Sequence, residues 1–154
     1  MSEQDILIRE ARPEDVHTLL EFQQGVVAWE RQYDPTIAKR HVSYYDIEKL
    51  ISNEEAMVLI AEAGGRPIGC GIGMEKEARH YLDHKTYAYL GLMYVDPQFR
   101  GQGVNAIIIE RLKNWAYAKG LKEIRLTVYE DNLSAIKAYE KIGFKKHISE
   151  MRIQ

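Results

Sequence analysis

Two groups of residues in this sequence have types and spacings that could do chemistry, and a third set invites the question. The sharpest is Val95-Asp96-Pro97-Gln98-Phe99-Arg100-Gly101-Gln102-Gly103-Val104-Asn105, where a β-prone run gives way to a glycine-rich turn and then a helix. Free backbone N–H groups at a helix start, reinforced by the positive end of its dipole, hold anions. Gly101 and Gly103 permit close approach and Arg100 offers a charge-assisted fork, so the chemistry is phosphate binding. The second is Tyr139, on a helical stripe with Ala135, Ala138 and Ile142. A phenol with a pKa near ~10 stays protonated at neutral pH and can donate to a departing anion, although packing alone would also place a tyrosine there. His80 and His84 stand four apart, but the Glu of H-E-x-x-H is missing and no third ligand is evident. They read as surface histidines, and no metal is expected. Trp29, Tyr33, Tyr44, Tyr45 and Tyr81 form an aromatic-rich set suited either to lining a pocket or to packing long loops.

Periodicity and turn chemistry define the elements that must position these groups. Ile6-Leu7-Ile8 is a short β-prone run. Arg12-Pro13-Glu14-Asp15 opens a helix from about Pro13 to Arg31, with Val16, Leu19, Leu20, Gln23, Val26 and Val27 on one face. Tyr33-Asp34-Pro35 ends it, because the residue before Pro disfavours helix. A short helix over Asp46 to Ile51 precedes a strand from Met57 to Ala61. Gly64-Gly65-Arg66-Pro67 then signals a hairpin into an antiparallel strand from Ile68 to about Glu75. Thr86 to Val95 is apolar on both pleat faces, as in a central strand, and Gly91 within it predicts a bulge or the close approach of another group, a ligand included. Val104, Ile107, Ile108, Leu112 and Trp115 mark a helix to Lys119, closed by Gly120. A strand over Glu123 to Tyr129, a helix over Asn132 to Ile142 stopped by Gly143, and a last strand in the tail to Ile153 complete the order β-α-α-β-β-β-α-β-α-β. No repeat, low-complexity tract or linker interrupts it, so the expectation is one mixed α/β domain over residues 1–154.

Composition narrows the classes further. A chain of 154 residues with 45% apolar and 29% charged side chains is an ordinary globular sequence, able to bury roughly 68–70% of its unfolded surface. Cys70 is the only cysteine, which excludes an internal disulfide or a cysteine zinc site and suits a reducing compartment. No apolar stretch approaches the ~20 residues of a membrane span, and the opening Met1-Ser2-Glu3-Gln4-Asp5 is acidic where a signal peptide is basic. A cytoplasmic location without membrane association is expected. The net charge is −2, yet residues 1–95 stand at −6 and residues 96–154 at +4. A strongly basic nucleic-acid binder is thereby disfavoured, and the acidic first part favours a cationic small partner.

Two readings of the glycine turn compete. Gly101, Gly103 and Ala106 satisfy G-x-G-x-x-G/A, with Glu123 about twenty residues beyond, as in a dinucleotide site. In such a site the acid ends the following strand, whereas Glu123 begins it; the first glycine also lies well past Val95, and the upstream hairpin breaks the βαβ order. The same stretch resembles the pyrophosphate-binding motif of the GNAT N-acetyltransferase superfamily, Arg/Gln-x-x-Gly-x-Gly/Ala, through Arg100 and Gly103, with Asn105 standing where that family has a small residue. Downstream, Asn132 to Phe144 resembles the family's Asn-x-x-Ala-x-x-x-Tyr-x-x-x-Gly-Phe segment through Asn132, Ala135, Tyr139, Gly143 and Phe144. The two motifs occur in the family's order, and the order of elements agrees with its fold.

The resemblance implies an acyl-CoA N-acyltransferase fold with acetyl-CoA as donor and direct attack by a primary amine of a small-molecule or peptide acceptor. Backbone groups of Met93, Tyr94 and Val95 would pair with the pantetheine arm and supply the oxyanion N–H. Main-chain N–H groups of Arg100, Gly101, Gln102, Gly103, Val104 and Asn105 would hold the pyrophosphate, with Asn105 adding bulk beside it. Asn132, in one motif with Ala135, would contact the cofactor by its side chain, and Tyr139 would face the sulfur as acid. The base stays open: the family's strand position falls on Tyr89, which could order a water, and Glu75 on the neighbouring strand is an alternative. With no evident carboxylate on the central strand, a non-catalytic acyl-CoA-binding module remains a second hypothesis and a nicotinamide dinucleotide enzyme a third. Dimers are common in the family, and Ile148 to Ile153 could serve either a homodimer interface or an intramolecular sheet edge.

Overall fold

Alternation of apolar residues along the strands is what builds the two faces of this molecule, seen in a computed structural model that describes residues 5–154. The acidic opening Met1-Ser2-Glu3-Gln4 lies outside the described residues. The elements are β1 (Ile6–Glu10), α1 (Val16–Glu30), α2 (Ile47–Ile51), β2 (Ala56–Ala63), β3 (Arg66–Glu77), β4 (Thr86–Val95), α3 (Val104–Ala118), β5 (Ile124–Leu126) and α4 (Leu133–Ile142). Short 3-10 turns at Pro13–Asp15 and Pro97–Phe99 lead into α1 and towards α3. The sheet runs β1-β2-β3-β4-β5, antiparallel except for the parallel pair β4 and β5.

On one face Val58, Ile60, Cys70, Ile72 and Leu92 pack with Leu19 of α1 and Ile47 of α2. On the other, Leu59, Ala61, Ile68 and Leu90 pack with Val104, Ile108, Ile109 and Leu112 of α3. Fully burying an Ile or Leu is worth about 1.5–3 kcal/mol, so the α3 stripe is a principal source of stability. The stripe is rotated from the expected one: Ile109 and Ala116 are buried, whereas Ile107 faces outward. α3 lies close to the sheet because β3 presents glycine there; a Cβ on Gly73 would sit 2.7 Å from the Trp115 ring and 3.3 Å from Leu112. Gly120, at φ +80°, closes the helix, with the Leu121 N–H donating to the Ala116 carbonyl at 2.9 Å.

Two expected strands differ. The strand predicted over Glu123 to Tyr129 is confined to Ile124–Leu126, and the tail from Lys145 to Gln154 is not a strand. So short a β5 offers little edge for the tail to pair with; Ile148, Met151 and Ile153 are exposed, and Arg152 instead donates to Asp34 at 2.9 Å. The loop between β3 and β4 is fastened to β5 through His84, whose Nδ1 meets Asp83 at 2.8 Å and Nε2 meets Glu123 at 2.6 Å. Asp83 first, then Glu123, raises the imidazole above its ordinary value.

Gly73→Ala should cost about 1–3 kcal/mol, since the new methyl meets a rigid indole in a packed layer. Thermal unfolding checks this, and Trp115→Leu in the same chain should return most of the loss.

Candidate active site

The site begins with an irregularity in β4. Ala88 and Leu90 face α3, so strict alternation would turn Leu92 the same way. Leu92 instead packs on the α1 face, while Met93 and Val95 pack towards α3. The register shows why: Ile72 pairs with Gly91 and Cys70 with Tyr94, leaving two residues, Leu92 and Met93, opposite Gly71. This is a β-bulge, with Leu92 in the left-handed region at φ +48°. The Cys70 thiol donates to the Leu92 carbonyl at 3.3 Å. The neighbour that Gly91 admits belongs to the chain itself, because a Cβ there would collide with the Tyr45 hydroxyl. That hydroxyl is pushed up to about 12 mainly by burial.

The bulge parts β4 from β5. Their pairing runs only from Ala88 with Ile124 to Leu90 with Leu126, so the edge of β4 at Met93, Tyr94 and Val95 has no strand beside it. Tyr94 is held by its side chain, stacked on Phe22 at 4.8 Å and set against Gly25 of α1. An extended amide chain fits this open edge.

At the same end of the sheet stands the glycine turn. Gly101 and Gly103 have φ of +78° and +81°, and Gly103 occupies the cap of α3 with no side chain closing it. The first-turn N–H groups of Val104, Asn105 and Ala106 therefore point out of the helix without intrahelical partners. Asp96 braces the turn by accepting from Gln98 N–H at 2.9 Å and pairing with Arg66 at 2.9 Å. Arg100 donates from Nε to the Val95 carbonyl at 3.0 Å and lies 5.4 Å over the Trp29 ring; Gln102 reaches back to the Gln98 carbonyl at 3.3 Å. The turn and α4 enclose a cavity of about 510 Å³ lined by Arg100, Gly101, Gly103, Asn105, Ala138 and Lys141 among others. Ala138 is thus a cavity wall rather than core, and Ile136 is the buried residue of α4. A larger hollow of about 600 Å³ along Val16, Leu20 and residues 43–48 holds no residue of the turn.

The downstream motif has a structural logic of its own. The Asn132 side chain accepts from Ala135 N–H at 3.3 Å, capping α4, and leaves its amide NH2 as a donor. Gly143, at φ +123°, ends the helix, and Phe144 N–H donates to the Tyr139 carbonyl at 3.0 Å. Phe144 thereby meets the Tyr139 ring edge-on at 5.9 Å. The Tyr139 hydroxyl is raised above its ordinary value chiefly by burial, lowered by the Asn105 amide beside it, and raised again by the charge of Glu30. Asn105 lines the cavity beside the glycine turn, and its buried Oδ1 has no partner among the described residues. The orphaned oxygen, the free N–H groups and the cavity all fit a pyrophosphate-bearing amide ligand.

On the α1 side of the sheet, Gln23 organises the segment before α2. Wholly buried on the apolar face of α1, it accepts from the N–H groups of Tyr44 at 3.0 Å and Tyr45 at 2.9 Å and donates to Ser43 at 3.0 Å. Sequence reasoning placed Gln23 on that face without a role. Of the aromatic set, Trp29 and Tyr33 meet at 6.4 Å and Tyr33 stacks on Tyr129 at 5.9 Å. Tyr81 is elsewhere, exposed against His80 in the loop between β3 and β4. Tyr89 donates to Thr127 at 2.8 Å across the gap between β4 and β5. Glu75 pairs with Lys119 at 3.8 Å at the far end of the strand and does not enter the cleft.

The turn does lie in a parallel β4-α3-β5 unit, contrary to the expected absence of βαβ order. Glu123, however, sits at the start of β5, away from the glycines, and is held by His84 and by Arg125 at 3.1 Å. It is not placed to read a ribose. The model of the Acetyltransferase (GNAT) family matches residues 19–144. The chain belongs to the GNAT acetyltransferase family. Its fold is similar to that of a Bacillus halodurans protein, with a TM-score of 0.85 at 18% identity over 96% of this chain and 98% of that one. A predicted acetyltransferase from Clostridium acetobutylicum crystallised with acetyl-CoA gives 0.73 at 19%, covering 97% and 96%. Glucosamine-6-phosphate N-acetyltransferase from Arabidopsis thaliana gives 0.71 at 17%, covering 98% and 99%. Among the described residues no three His, Cys, Asp or Glu side chains converge as a metal site, and no helix is long and apolar enough to cross a membrane.

Arg100→Glu should abolish the thermal shift given by CoA, which for saturation at a hundred times Kd is about 2.7 kcal/mol or roughly 5–11 °C. Gln23→Leu should lower stability by about 1–3 kcal/mol for each backbone N–H left unpaired. Denaturant unfolding reads the latter, with the CoA shift retained.

Proposed function

We propose that this protein transfers an acetyl group from acetyl-CoA to a primary amine, by direct attack of the amine on the thioester, with Tyr139 as the acid. The observation that carries the reading is the position of the Tyr139 hydroxyl, beside Asn105 in the first turn of α3. The Tyr139 ring packs in the layer that also holds Phe99, just before the glycine turn, and Met93 and Val95 of β4. Acetyl-CoA supplies an activated acetyl group on sulfur. The residues of this chain would divide the remaining work. N–H groups from Gly101 to Ala106 and the Arg100 and Lys141 side chains that line the cavity would hold the pyrophosphate; Met93, Tyr94 and Val95 would offer the unpaired strand edge to the pantetheine amides and an N–H to the carbonyl oxygen as charge develops on it. Tyr139 stays protonated until the carbon–sulfur bond breaks, because burial disfavours its anion, and then gives its proton to the sulfur, while the proton lost by the attacking nitrogen passes to solvent and the phenol is reprotonated from solvent. The acetyl-CoA complex of the Clostridium acetobutylicum neighbour and the N-acetyltransferase activity named for the Arabidopsis thaliana one support the donor and the reaction class.

Tyr139→Phe keeps the ring and its packing on Phe144 and removes only the proton. Its kcat should fall by about 10²–10⁴ with the CoA thermal shift intact. Thiol release from acetyl-CoA across a panel of amines is the measurement; unchanged kcat would remove Tyr139 from the chemistry, and no thiol release with any amine in the unsubstituted protein would overturn the transfer itself.

A further inference from the structure

α1 lays a stripe of side chains across the end of β4. Phe22, Gly25 and Trp29 stand three and four residues apart in the sequence, so they share one face of the helix. Phe22 stacks on Tyr94 at 4.8 Å, and at Gly25 a Cβ would sit 2.7 Å from the same ring. One turn further along the stripe, Trp29 meets the Arg100 guanidinium, which lies 5.4 Å from the centre of its ring. Tyr33 meets the indole edge-on at 6.4 Å and is itself stacked on Tyr129 at 5.9 Å. The indole is therefore fixed by partners of its own before any ligand arrives.

Arg100 has few other restraints. It is exposed, its side chain is long, and the turn that carries it continues through two left-handed glycines. Its Nε is spent on the Val95 carbonyl at 3.0 Å, while its terminal nitrogens have no hydrogen-bond or ion-pair acceptor among the described residues. Asp96, in the same turn, is taken by Arg66 at 2.9 Å and by the Gln98 N–H at 2.9 Å. The guanidinium is thus held at Nε and through its π face, with the outer fork free at the wall of the cavity that Gly101, Gly103 and Asn105 also line. Such a fork grips a phosphate through two parallel N–H bonds, and an indole face holds it without occupying those donors, as a carboxylate would. We propose that Trp29 is a positioning residue for the acyl donor, holding Arg100 so that its terminal N–H groups meet the CoA pyrophosphate. A fork already held loses less freedom when the ligand binds. The assignment deepens the acetyl-CoA reading and rests on it, and CoA binding is measured without turnover.

Calorimetry on the full chain gives Kd for CoA and for dephospho-CoA, which lacks the ribose phosphate and keeps the pyrophosphate. Trp29→Leu should weaken both by the same factor, about twofold to fivefold, as expected of an exposed cation–π contact, and Trp29→Phe should restore part of the loss. In Arg100→Gln, which removes the charge, Trp29→Leu should bring no further loss, whereas a Trp29 that only packs the end of α1 would cost the same in both backgrounds. Equal Kd values in Trp29→Leu and the unsubstituted protein, additive losses in the double variant, or a loss seen with CoA and absent with dephospho-CoA would each overturn the assignment. If Arg100→Gln binds too weakly to measure, the comparison of Trp29→Phe with Trp29→Leu decides, and no rescue by the smaller ring overturns it. Should Trp29→Leu lose its cooperative melt, the same cycle is run with Trp29→Phe, whose weaker ring should cost affinity only where Arg100 is present. CoA binding indifferent to Trp29 would overturn this assignment alone; no CoA binding by the unsubstituted protein would overturn the acetyl-CoA reading beneath it.

Discussion

One surplus residue in β4 governs the rest of the molecule. A strand in continuous register with both neighbours would have no free backbone to offer a ligand, and Leu92 at φ +48° breaks that continuity. The break exchanges the two faces beyond it: Met93 and Val95 join the layer under α3, while Leu92 and Tyr94 join the layer under α1. It also ends the pairing with β5 at Leu90. A left-handed leucine is uncomfortable, and its surroundings hold it there, with the Cys70 thiol on the Leu92 carbonyl and the Tyr45 hydroxyl packed against Gly91 beside it.

The cleft so formed has walls from separate parts of the chain. The glycine turn leads into α3, Tyr139 belongs to α4, and the aromatic side to α1 and the segment after it. Few contacts tie these walls together, but each is specific. Asn105 lies against Tyr139, Arg100 against Trp29, Tyr33 against Tyr129, and Gln23 fixes Tyr44 and Tyr45 by their backbones. Buried polar side chains such as Gln23 are satisfied only in one arrangement, which converts a loose loop into a defined wall.

Legibility followed the range of the interactions involved. The glycine turn and the Asn132 to Phe144 segment could be read because their logic is local: left-handed glycines, a cap three residues from its N–H, a helix stop that seats one ring on another. The limits of α1, β2, β3, β4 and α3 were legible for the same reason, through period and punctuation. The bulge was half visible, since Gly91 marked an irregularity while the displacement fell on Leu92 and the group admitted was Tyr45. What escaped depended on distant partners. β5 is short because β4 turns away from it, the tail has no edge to join, and Glu75 is claimed by Lys119 from another element. Gln23 did give a signal, a polar residue on an apolar stripe.

Cys70 matters for what it does not do. A protein that handles a thioester runs the risk of acylating its own sulfur, and Cys70 pairs in register with Tyr94, on the very strand that would carry the donor. It is wholly buried, faces α1 rather than the side of Tyr139, and donates its proton to the Leu92 carbonyl. Burial raises the thiol far above its ordinary value, and the thiolate is the reactive form. The sulfur that meets the bulge is thereby kept as an unreactive thiol, and burial sets it apart from any thioester on the other face of the sheet.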